Sequence, residues 1–350
     1  MAPLPQLEDI ETYSSCEWDL KRDPDARRYW VQLFCEHLDL LAEMIRREYP
    51  DTPPGKLAQF QTDYRAAMRA LDAEPERFEQ IDILFMDHVR REVQHRYGFA
   101  DPYRDIKTRE NDLACRLLPE LLRELEGLPA DARVDQLARG LMAGNIFDLG
   151  AMAAVERYRS QDTDFRRLRA EQPPRPWLID DLDAWRERWS DGAAYRHVAF
   201  FVDNAGADIC LGCLPLARWM LGKGSRVTLA ANSDPALNDV TAPELTSLLT
   251  QIADTDSYLA QAIAGGRLAV VASGGWAPLI DLTQLADACV AAITDADLLI
   301  LLGMGRAIES NFRARFSCDS LRSAVVKDPA VARWIGGRMF DCVFRFEQAN

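Results

Sequence analysis

The sequence predicts an α/β protein in which a Rossmann-like, mostly parallel sheet carries helices on both faces and is preceded by a helical N-terminal domain. Up to about residue 169 the apolar residues recur at helical spacing, and strand-like alternation is nearly absent. A proline-rich stretch, "EQPPRPWLIDD", then interrupts this pattern. Beyond it, short apolar or β-branched runs alternate with amphipathic stretches. We therefore predict a helical domain over residues 1–172 and an α/β domain over residues 173–350.

The N-terminal half is predicted to be helical because its apolar residues repeat with the period of an α-helix. The stretch "RRYWVQLFCEHLDLLAEMIRREY" shows this spacing throughout. Proline cannot continue a helix, and it disfavours the helical conformation in the residue before it. The proline-rich stretch at residues 171–181 therefore marks the transition between the two predicted domains.

In the C-terminal half, short apolar or β-branched runs are predicted as strands at His197 to Val202, Arg226 to Ala231, Leu268 to Ala272, Asp297 to Leu302, Ala324 to Val326 and Met339 to Phe346. Amphipathic stretches are predicted as helices near Ile209 to Leu221, Ala242 to Ala264, Leu282 to Thr294 and Ser310 to Leu321. Parallel strands need long crossover connections, which these helices provide. The alternation therefore favours a mostly parallel sheet that is covered on both faces.

Composition and charge restrict the partners that we expect. The chain has 350 residues, of which 48% are hydrophobic, and this is enough for a sizeable core. Its 41 Lys and Arg residues against 55 Asp and Glu residues give a formal charge of -14, which argues against nucleic acid or anionic membranes as partners. The first residues lack the pattern of a signal peptide and no apolar run is long enough to span a membrane, so we expect a cytoplasmic protein with reduced cysteines. The sequence does not indicate an oligomeric state.

Polar and glycine residues follow the first five predicted strands at the point where each strand ends. They are Asp203-Asn204, Asn232-Ser233, Ser273-Gly274-Gly275, Gly303-Met304-Gly305-Arg306 and Lys327. In an open parallel sheet, ligands bind outside the carboxyl ends of the strands. Loops are polar in most proteins, which explains any one of these groups taken alone. Their coincidence at five strand ends favours a binding site at this edge of the sheet.

A second amide and carboxylate pair, Asn238-Asp239, lies in the loop after the second predicted strand. Asp203, Asn204 and Asp239 then form a set of oxygen ligands that suits a hard divalent cation such as Mg²⁺, which is often shared with a substrate phosphate. The alternative is that Asp239 only caps the following helix, because Asn and Asp before a helix satisfy free amide groups. The residues alone leave both interpretations open.

Several longer segments resemble one known protein family. The segments are "WDLKRDPDARRYW", "DPYRDIKTREND", "GLMAGNIFDLGA", "VDNAGADI", "ANSDPALNDVT", "LLGMGRAIESNF", "SLRSAVVKD" and "IGGRMFDCVFRFE". They are similar to the family once catalogued as domain of unknown function 89, which is now regarded as a family of metal-dependent damage-control phosphatases. Within that family they look like subfamily II, which includes the phosphatase domain of pantothenate kinase 4 and its stand-alone plant relatives. The resemblance covers nearly the whole chain.

The resemblance implies a Rossmann-like domain joined to a helical domain, with the site between them. It implies a divalent metal ion (Mg²⁺, Mn²⁺, Co²⁺ or Ni²⁺) held by Asp203, Asn204 and Asp239, the same set that the strand ends indicate. Lys327 matches the family's phosphate-binding lysine. Further matches that face the site from the helical half are Asn111, Asn145 and Asp148. The implied activity is hydrolysis of a phosphomonoester, with 4'-phosphopantetheine or its oxidised and sulfonated forms as the substrate.

These residues suggest how phosphate is released. We expect the cation to bridge the phosphate to its ligands and to orient an in-line attack, with Asp203, Asp239 and Lys327 as the catalytic residues. Lys327 adds positive charge beside the phosphate oxygens. Backbone amides of the loop from Gly303 to Gly305 approach the phosphate closely, because glycine has no side chain. Further substrate contacts are predicted for Asn232, Ser233 and Arg306.

Other chemistries receive less support from the sequence. Water is preferred as the nucleophile over a covalent aspartyl phosphate, because Ala205 stands where haloacid-dehalogenase enzymes carry a second acid. Sugar phosphates or other small metabolites are alternative substrates, because Asp234 and Trp276 depart from the residues expected near the strand ends. A carboxyl methyltransferase that uses S-adenosylmethionine would not need three oxygen ligands there. A binding protein without activity would not need to retain the metal ligands and the lysine together.

Overall fold

A seven-stranded sheet lies at the centre of the structure, a computed structural model that describes residues 1–146, 165–190 and 195–349. Its strands are β1 (Ile179–Asp180), β2 (His197–Phe201), β3 (Arg226–Ala231), β4 (Leu268–Ala272), β5 (Leu298–Leu302), β6 (Asp319–Val325) and β7 (Cys342–Glu347). The strand order is β1-β7-β6-β5-β2-β3-β4, and every neighbouring pair is parallel except β6 and β7. The predicted fold class is confirmed.

Helices precede and connect these strands. The described residues contain α1 (Pro24–Glu48), α2 (Pro54–Ala73), α3 (Ile83–Arg96), α4 (Arg104–Glu126), α5 (Ala130–Asn145), α6 (Phe165–Ala170), α7 (Leu182–Ser190), α8 (Leu214–Gly222), α9 (Ala242–Ala253), α10 (Ser257–Ala264), α11 (Asp287–Ile293) and α12 (Pro329–Trp334). Two π-helical turns, Asp208–Cys213 and Gly305–Glu309, follow β2 and β5. Thr241 and Glu244 form a capping box that starts α9 directly after Asp239. No helix among these is both long enough and apolar enough to cross a membrane.

Alternate residues of the central strands belong to the cores on opposite faces of the sheet. On β2, Val198 and Phe200 belong to the core under helices α4 to α10, whereas Ala199 and Phe201 belong to the core under α1 to α3, α11 and α12. The helices of the N-terminal half therefore cover both faces of the sheet and share core residues with it. The domain boundary between residues 172 and 173 stays a prediction.

The helix predicted at Ser310 to Leu321 is wrong. The strand β6 begins at Asp319, and residues 310–318, all of which are described, form bends, one turn and irregular backbone with an isolated bridge between Phe316 and Leu7. The side-chain amide of Asn311 donates to the carbonyl oxygens of Ile280 and Arg306, at 3.0 and 3.3 Å. The backbone of Asn311 has a φ of 63°, in the left-handed region. The left-handed backbone of Asn311 interrupts a helix at this position, and its buried side chain is fixed by contacts with other segments.

Smaller differences concern the ends of predicted elements. The helix predicted at Ala242 to Ala264 is divided into α9 and α10, because Asp256 starts a new helix by accepting a hydrogen bond from the amide of Leu259 at 2.8 Å. The helix predicted from Leu282 is shorter, and the last strand begins at Cys342. The other predicted strands lie within a few residues of their predicted positions, so the strand ends that carry polar residues are where the sequence indicates.

Candidate functional site

The carboxyl ends of β2 to β6 meet at one edge of the sheet, because these strands run parallel. Backbone contacts bring the loops after β2 and β3 together at this edge. Asn204 forms an antiparallel bridge with Asp239, and the amide of Val240 donates to the carbonyl oxygen of Asp203 at 3.0 Å. The three residues that are predicted as metal ligands therefore lie next to one another.

Two side-chain amides hold the carboxylate of Asp203. Its Oδ2 accepts hydrogen bonds from Nδ2 of Asn204 at 2.8 Å and from Nδ2 of Asn145 at 2.9 Å. The same amides donate to Oδ2 of Asp208, at 3.1 and 3.3 Å, and the backbone amide of Asn204 donates to it at 3.2 Å. Asp208 is absent from the predicted site, although it belongs to the segment "VDNAGADI" that carries Asp203 and Asn204.

The guanidinium group of Arg306 joins the two predicted acidic ligands. Nη1 pairs with Oδ1 of Asp203, and Nη2 lies 2.7 Å from Oδ2 of Asp239 and 3.0 Å from Oδ1 of Asn232. The side chain of Arg306 is 2% exposed, so water does not compete for these contacts. The sequence predicts that Arg306 contacts the substrate. In the structure, Arg306 contacts the two predicted acidic metal ligands, Asp203 and Asp239.

Burial dominates the electrostatics of this cluster. It raises the pKa of Asp203 well above its usual range, the positive charges of Arg306 and Lys327 oppose the shift, and the neighbouring charges of Asp239 and Asp208 add to it. Burial also raises the pKa of Asp208. Three buried acids therefore face two cations, and the site favours additional positive charge.

Gly303, at the end of β5, leaves room for the carboxylate of Asp203. A Cβ atom at this position would overlap the carboxyl group of Asp203. The backbone of Gly303 also has a φ of +96°, which other residues rarely adopt. Both features require glycine at this strand end, so the loop after β5 determines where Asp203 can lie.

The donor set at this edge fits a divalent metal ion. The carboxylates of Asp203 and Asp239 contact neighbouring nitrogens of one guanidinium group, that of Arg306, so both face the same positive charge. Carboxylate and amide oxygens are the ligands that hard divalent cations prefer. Within the described ranges, no group of three or more His, Cys, Asp or Glu side chains is arranged to hold a metal. These residues can therefore provide two carboxylate ligands for a metal ion. An amide oxygen and oxygens of the substrate would complete the ligand set.

Lys327, which follows β6, contacts Asn145 at the end of α5. Its Nζ donates to the carbonyl oxygen of Asn145 at 2.7 Å and lies 3.3 Å from Oδ1 of the same residue. That Oδ1 also accepts from the backbone amide of Val325 at 3.2 Å. Asn145 thereby connects the helical half of the chain with both Asp203 and Lys327. Asp148, which is predicted to face the site, lies outside the described residues.

Other residues predicted to contact substrate hold the loops around the site. Oδ1 of Asn111 on α4 accepts from the backbone amide of Gly206 at 2.7 Å. Nδ2 of Asn232 donates to Oδ2 of Asp239 at 3.0 Å. Oγ of Ser233 accepts from a backbone amide of the loop after β4 at 2.8 Å. These contacts support the loops that carry the metal ligands, and contact with substrate stays a prediction for all three residues.

A cavity of about 380 Å³ lies beside these residues, between the sheet edge and helices α1 and α3. Asp203, Asp239, Gly305 and Lys327 line it from the side of the sheet. Much of the remaining wall is apolar and includes Trp30, Leu33, Phe34, Ile83, Leu237 and Leu279. This volume is typical of pockets that bind small molecules.

Eight polar or charged residues that line the cavity are absent from the predicted site: Tyr29, Gln32, Glu36, His37, Asp87, Arg90, Glu309 and Asp328. Arg90 pairs with Asp87 at 2.6 Å, and its guanidinium carbon lies 5.4 Å from the centre of the Phe34 ring. Burial raises the pKa of Asp87 to about 6, the charge of Arg90 opposes this shift, and the charge of Asp239 adds to it. The sequence contains a signal for Asp87 and Arg90, because these charged residues share the helical spacing of the buried side chains of α3. The buried residues of α3 are Ile83, Met86, Asp87, Arg90, Val93 and Gln94.

Known proteins resemble this chain over most of its length. The model of the damage-control phosphatase ARMT1-like domain matches residues 16–343. The chain is 35% identical to the damage-control phosphatase At2g17340 of Arabidopsis thaliana, over 100% of this chain and 98% of that protein. It is 37% identical to pantothenate kinase 2 of Arabidopsis thaliana, over 98% of this chain and 41% of that protein. It is 30% identical to the 4'-phosphopantetheine phosphatase of Mus musculus, over 98% of this chain and 48% of that protein. The chain thus spans less than half the length of the last two relatives.

A solved structure shows the same fold. It is that of a DUF89 family protein from Pyrococcus horikoshii, with a TM-score of 0.62 and 17% sequence identity, covering 88% of this chain and 96% of that one. The family model covers most of the chain, and one relative aligns with it along nearly the whole length of both proteins. The chain therefore belongs to the damage-control phosphatase ARMT1-like domain family.

Proposed function

We propose that this chain is a metal-dependent phosphatase that hydrolyses the phosphomonoester of 4'-phosphopantetheine or of its oxidised or sulfonated forms. The observation that carries the proposal is the meeting of Asp203 and Asp239 around one positive group, in a cavity that Lys327 also lines. The relatives support the reaction, because they include a damage-control phosphatase and a 4'-phosphopantetheine phosphatase.

A divalent cation (Mg²⁺, Mn²⁺, Co²⁺ or Ni²⁺) would be held by Asp203, Asn204 and Asp239. When bound, such an ion neutralises charge on the phosphate and stabilises the transition state of an in-line displacement. The amide nitrogen of Asn204 donates to Asp203 and Asp208, so its carbonyl oxygen is the atom that serves as a ligand. The excess of buried negative charge at this edge supports a role for added positive charge.

The residues around the cavity have separate tasks in this reaction. Lys327 places positive charge beside the phosphate oxygens, and its contacts with Asn145 hold the ammonium group in position. Gly305 lines the cavity and lets the phosphate approach the backbone closely. Asp203 or Asp239 orients the attacking water by accepting its hydrogen bond. The oxygen of water bonds to phosphorus as the ester P–O bond breaks. One water proton stays on the phosphate product, and the net transfer of the other to the leaving oxygen gives the alcohol.

The wall of the cavity favours a partly apolar leaving group. Trp30, Leu33 and Phe34 form part of this wall together with residues of other segments. Hydroxyl groups of a sugar placed against this apolar part of the wall would lose water without gaining hydrogen-bond partners, which costs free energy. A pantetheine chain carries methyl and methylene groups between its amides and suits such a wall better. The partner that we propose is therefore a small phosphorylated metabolite with an extended chain.

We also propose that the reaction takes place in a reducing compartment, the cytosol. All eight cysteines are free thiols, including Cys115 and Cys210, whose sulfur atoms lie 3.9 Å apart. Free thiols are typical of proteins from reducing compartments. Fractionation of cells that express the native protein tests this assignment.

Phosphate release tests the proposed activity. The native protein, Asp203→Ala and Asp39→Ala are compared with 4'-phosphopantetheine, its sulfonated form and a panel of sugar phosphates, first in chelator and then with each metal restored. Asp39 is a matched control because it is an acid on α1 whose side chain is 77% exposed. We expect the native protein and Asp39→Ala to release phosphate only with metal, fastest from 4'-phosphopantetheine, and Asp203→Ala to release almost none.

Each contrary result has a defined meaning. If sugar phosphates are hydrolysed faster than 4'-phosphopantetheine, the substrate assignment is wrong and the reaction type stands. If no ester is hydrolysed with any metal while the protein stays folded, the phosphatase proposal is wrong. If Asp203→Ala retains native activity, the metal site does not lie at the end of β2.

A further inference from the structure

The cavity contains few positive charges for the anionic ester that it is proposed to bind. Among the described residues that line it, the lysine and arginine residues are Lys327 and Arg90. The acids that line the same cavity are Glu36, Asp87, Asp203, Asp239, Glu309 and Asp328. Lys327 belongs to the sheet side and Arg90 to helix α3. The side chains of the cavity wall therefore offer a phosphate these two positive charges, in addition to the charge of the proposed metal ion.

Arg306 does not supply that complement. Its guanidinium is bound to Asp203, Asp239 and Asn232, and it is not among the residues that line the cavity. Moving it to the phosphate would leave two buried carboxylates without their partner, which is unfavourable. With Arg306 held in these contacts, Arg90 on the helical side is the described Lys or Arg side chain of the wall that can add to the charge of Lys327 and of the proposed metal ion.

Arg90 is already held in a defined orientation. Its Nη2 lies 2.6 Å from Oδ1 of Asp87, and its guanidinium lies over the ring of Phe34 at 5.4 Å. The side chain is 9% exposed, so little rotational freedom is left to lose on binding. A guanidinium group has several N–H donors in a rigid plane, and a contact through Nη2 leaves donors for a phosphate oxygen.

We propose that Arg90 is a substrate-binding residue that contacts the phosphate from the helical side of the cavity, opposite Lys327, and that Asp87 is the positioning residue that orients its guanidinium. This inference rests on the proposed phosphatase function, which places the phosphate beside Asp203, Asp239 and Lys327. Under this inference, the phosphate site is complete only when helix α3, which carries Arg90, packs against the sheet edge that carries Lys327.

The test compares Arg90→Met with Arg91→Met. Arg91 is the next residue of the same helix and makes the same kinds of contact, an ion pair with Asp234 at 2.5 Å and a stacked contact with Trp276 at 5.6 Å. It does not line the cavity of the proposed substrate. Each change removes one guanidinium and retains a side chain of similar length, so the two variants differ in whether that guanidinium faces the cavity.

Two measurements are made on each folded variant. Calorimetry with Mg²⁺ present measures the Kd of inorganic phosphate, and steady-state kinetics with 4'-phosphopantetheine separate KM from kcat. For Arg90→Met we expect Kd and KM to rise about 10- to 100-fold with a smaller change in kcat, because a charge-assisted hydrogen bond to substrate is lost. Arg91→Met is expected to stay within about threefold of the native protein. Asp87→Asn is expected to raise KM about three- to tenfold at nearly constant kcat, as a misplaced guanidinium would.

Arg90→Lys covers the case in which the methionine variant does not fold. It keeps the charge and loses the planar fork, so we expect a rise in KM of about three- to tenfold. If folded Arg90→Met, or Arg90→Lys in its place, binds phosphate as the native protein does, the proposal is overturned. An equal loss in Arg91→Met also overturns it, because the effect would then come from the packing of α3.

The outcomes separate this inference from the proposed function. If the native protein binds phosphate through Arg90 but hydrolyses no ester, the phosphatase function fails and the contact made by Arg90 stands. If the native protein hydrolyses esters and the Arg90 variants bind and turn over substrate normally, the inference fails and the function stands. If the native protein neither binds phosphate nor hydrolyses any ester, both are overturned.

Discussion

Replacement of Arg306 by methionine tests the electrostatic description of the site most directly. The change keeps a side chain of similar length and removes the contacts with Asp203, Asp239 and Asn232. Asp203 and Asp239 are 4% and 2% exposed, so water cannot replace the lost guanidinium. Two buried carboxylates are then left with too little positive charge around them.

The expected loss of stability is about 3–5 kcal/mol, the usual cost of removing one partner from a buried ion pair. For a chain of 350 residues that corresponds to a fall in Tm of roughly 4–7 °C. The loss depends on pH, because removal of the guanidinium raises the pKa of Asp203 further above its unfolded value. A carboxyl group whose pKa is raised by folding destabilises the protein as pH rises from the unfolded pKa toward the folded one. The defect is therefore smaller in acid and larger in base.

Thermal unfolding measures this effect in chelator at about pH 5 and about pH 8, and again with Mg²⁺, Mn²⁺, Co²⁺ or Ni²⁺ added. We expect the metal to raise the Tm of Arg306→Met more than that of the native protein, because it supplies the missing charge. Arg322→Met is the matched control: Arg322 is a buried arginine that pairs with Glu347, and metal should not restore its stability. A native Tm for Arg306→Met in chelator at both pH values would refute the reasoning.

Three further outcomes are expected. Gly303→Ala places a Cβ against the carboxylate of Asp203, so metal affinity measured by calorimetry should fall at least about tenfold, and an unchanged affinity would contradict the role given to Gly303. Asn145→Ala removes the side-chain bond to Asp203 and the 3.3 Å side-chain contact with Lys327, and keeps the bond from Lys327 to the backbone carbonyl of residue 145. We expect kcat to fall and the free energy of unfolding to drop by about 1–3 kcal/mol in denaturant titrations; a native kcat would argue against it. Chelation of the native protein should lower its Tm, because the buried acids lose their counter-charge, and no shift would count against a bound metal.

The predicted metal ligands could be located from the sequence because strands and their ends are local features. The strand β2 is apolar up to Val202 and polar from Asp203, and β3 is apolar up to Ala231 and polar from Asn232. Parallel strands that lie side by side bring such ends to the same edge. The bridge between Asn204 and its partner loop follows from the adjacency of β2 and β3, which a mostly parallel sheet favours but sequence spacing does not establish.

Contacts between distant segments could not be predicted in this way. Residues 310–318 have a pattern that suits an amphipathic helix, but Asn311 has partners from elsewhere in the chain. The hydroxyl group of Tyr13 donates to its Oδ1 at 2.6 Å, and Nε of Arg322 donates to its carbonyl oxygen at 2.9 Å. The pairing of Arg306 with the acids at the ends of other strands is equally long-range. No local periodicity contains this information, because it depends on how β5, β6 and the N-terminal segment pack together.

Asp87 and Arg90 could have been found from the helical periodicity, although they are absent from the predicted site. The useful signal is that two charged residues lie on the apolar stripe of a helix. On α3 they share one stripe with Ile83, Met86 and Val93, and the whole stripe is buried. A buried ion pair is a weak source of stability, because apolar residues of similar shape are often as stable or up to about 4 kcal/mol more stable. Charges on a stripe that faces the core are therefore better explained by function than by folding. If that argument holds, Asp87→Leu combined with Arg90→Met will keep the native Tm and lose phosphate binding, whereas a large loss of Tm would show that the pair is structural.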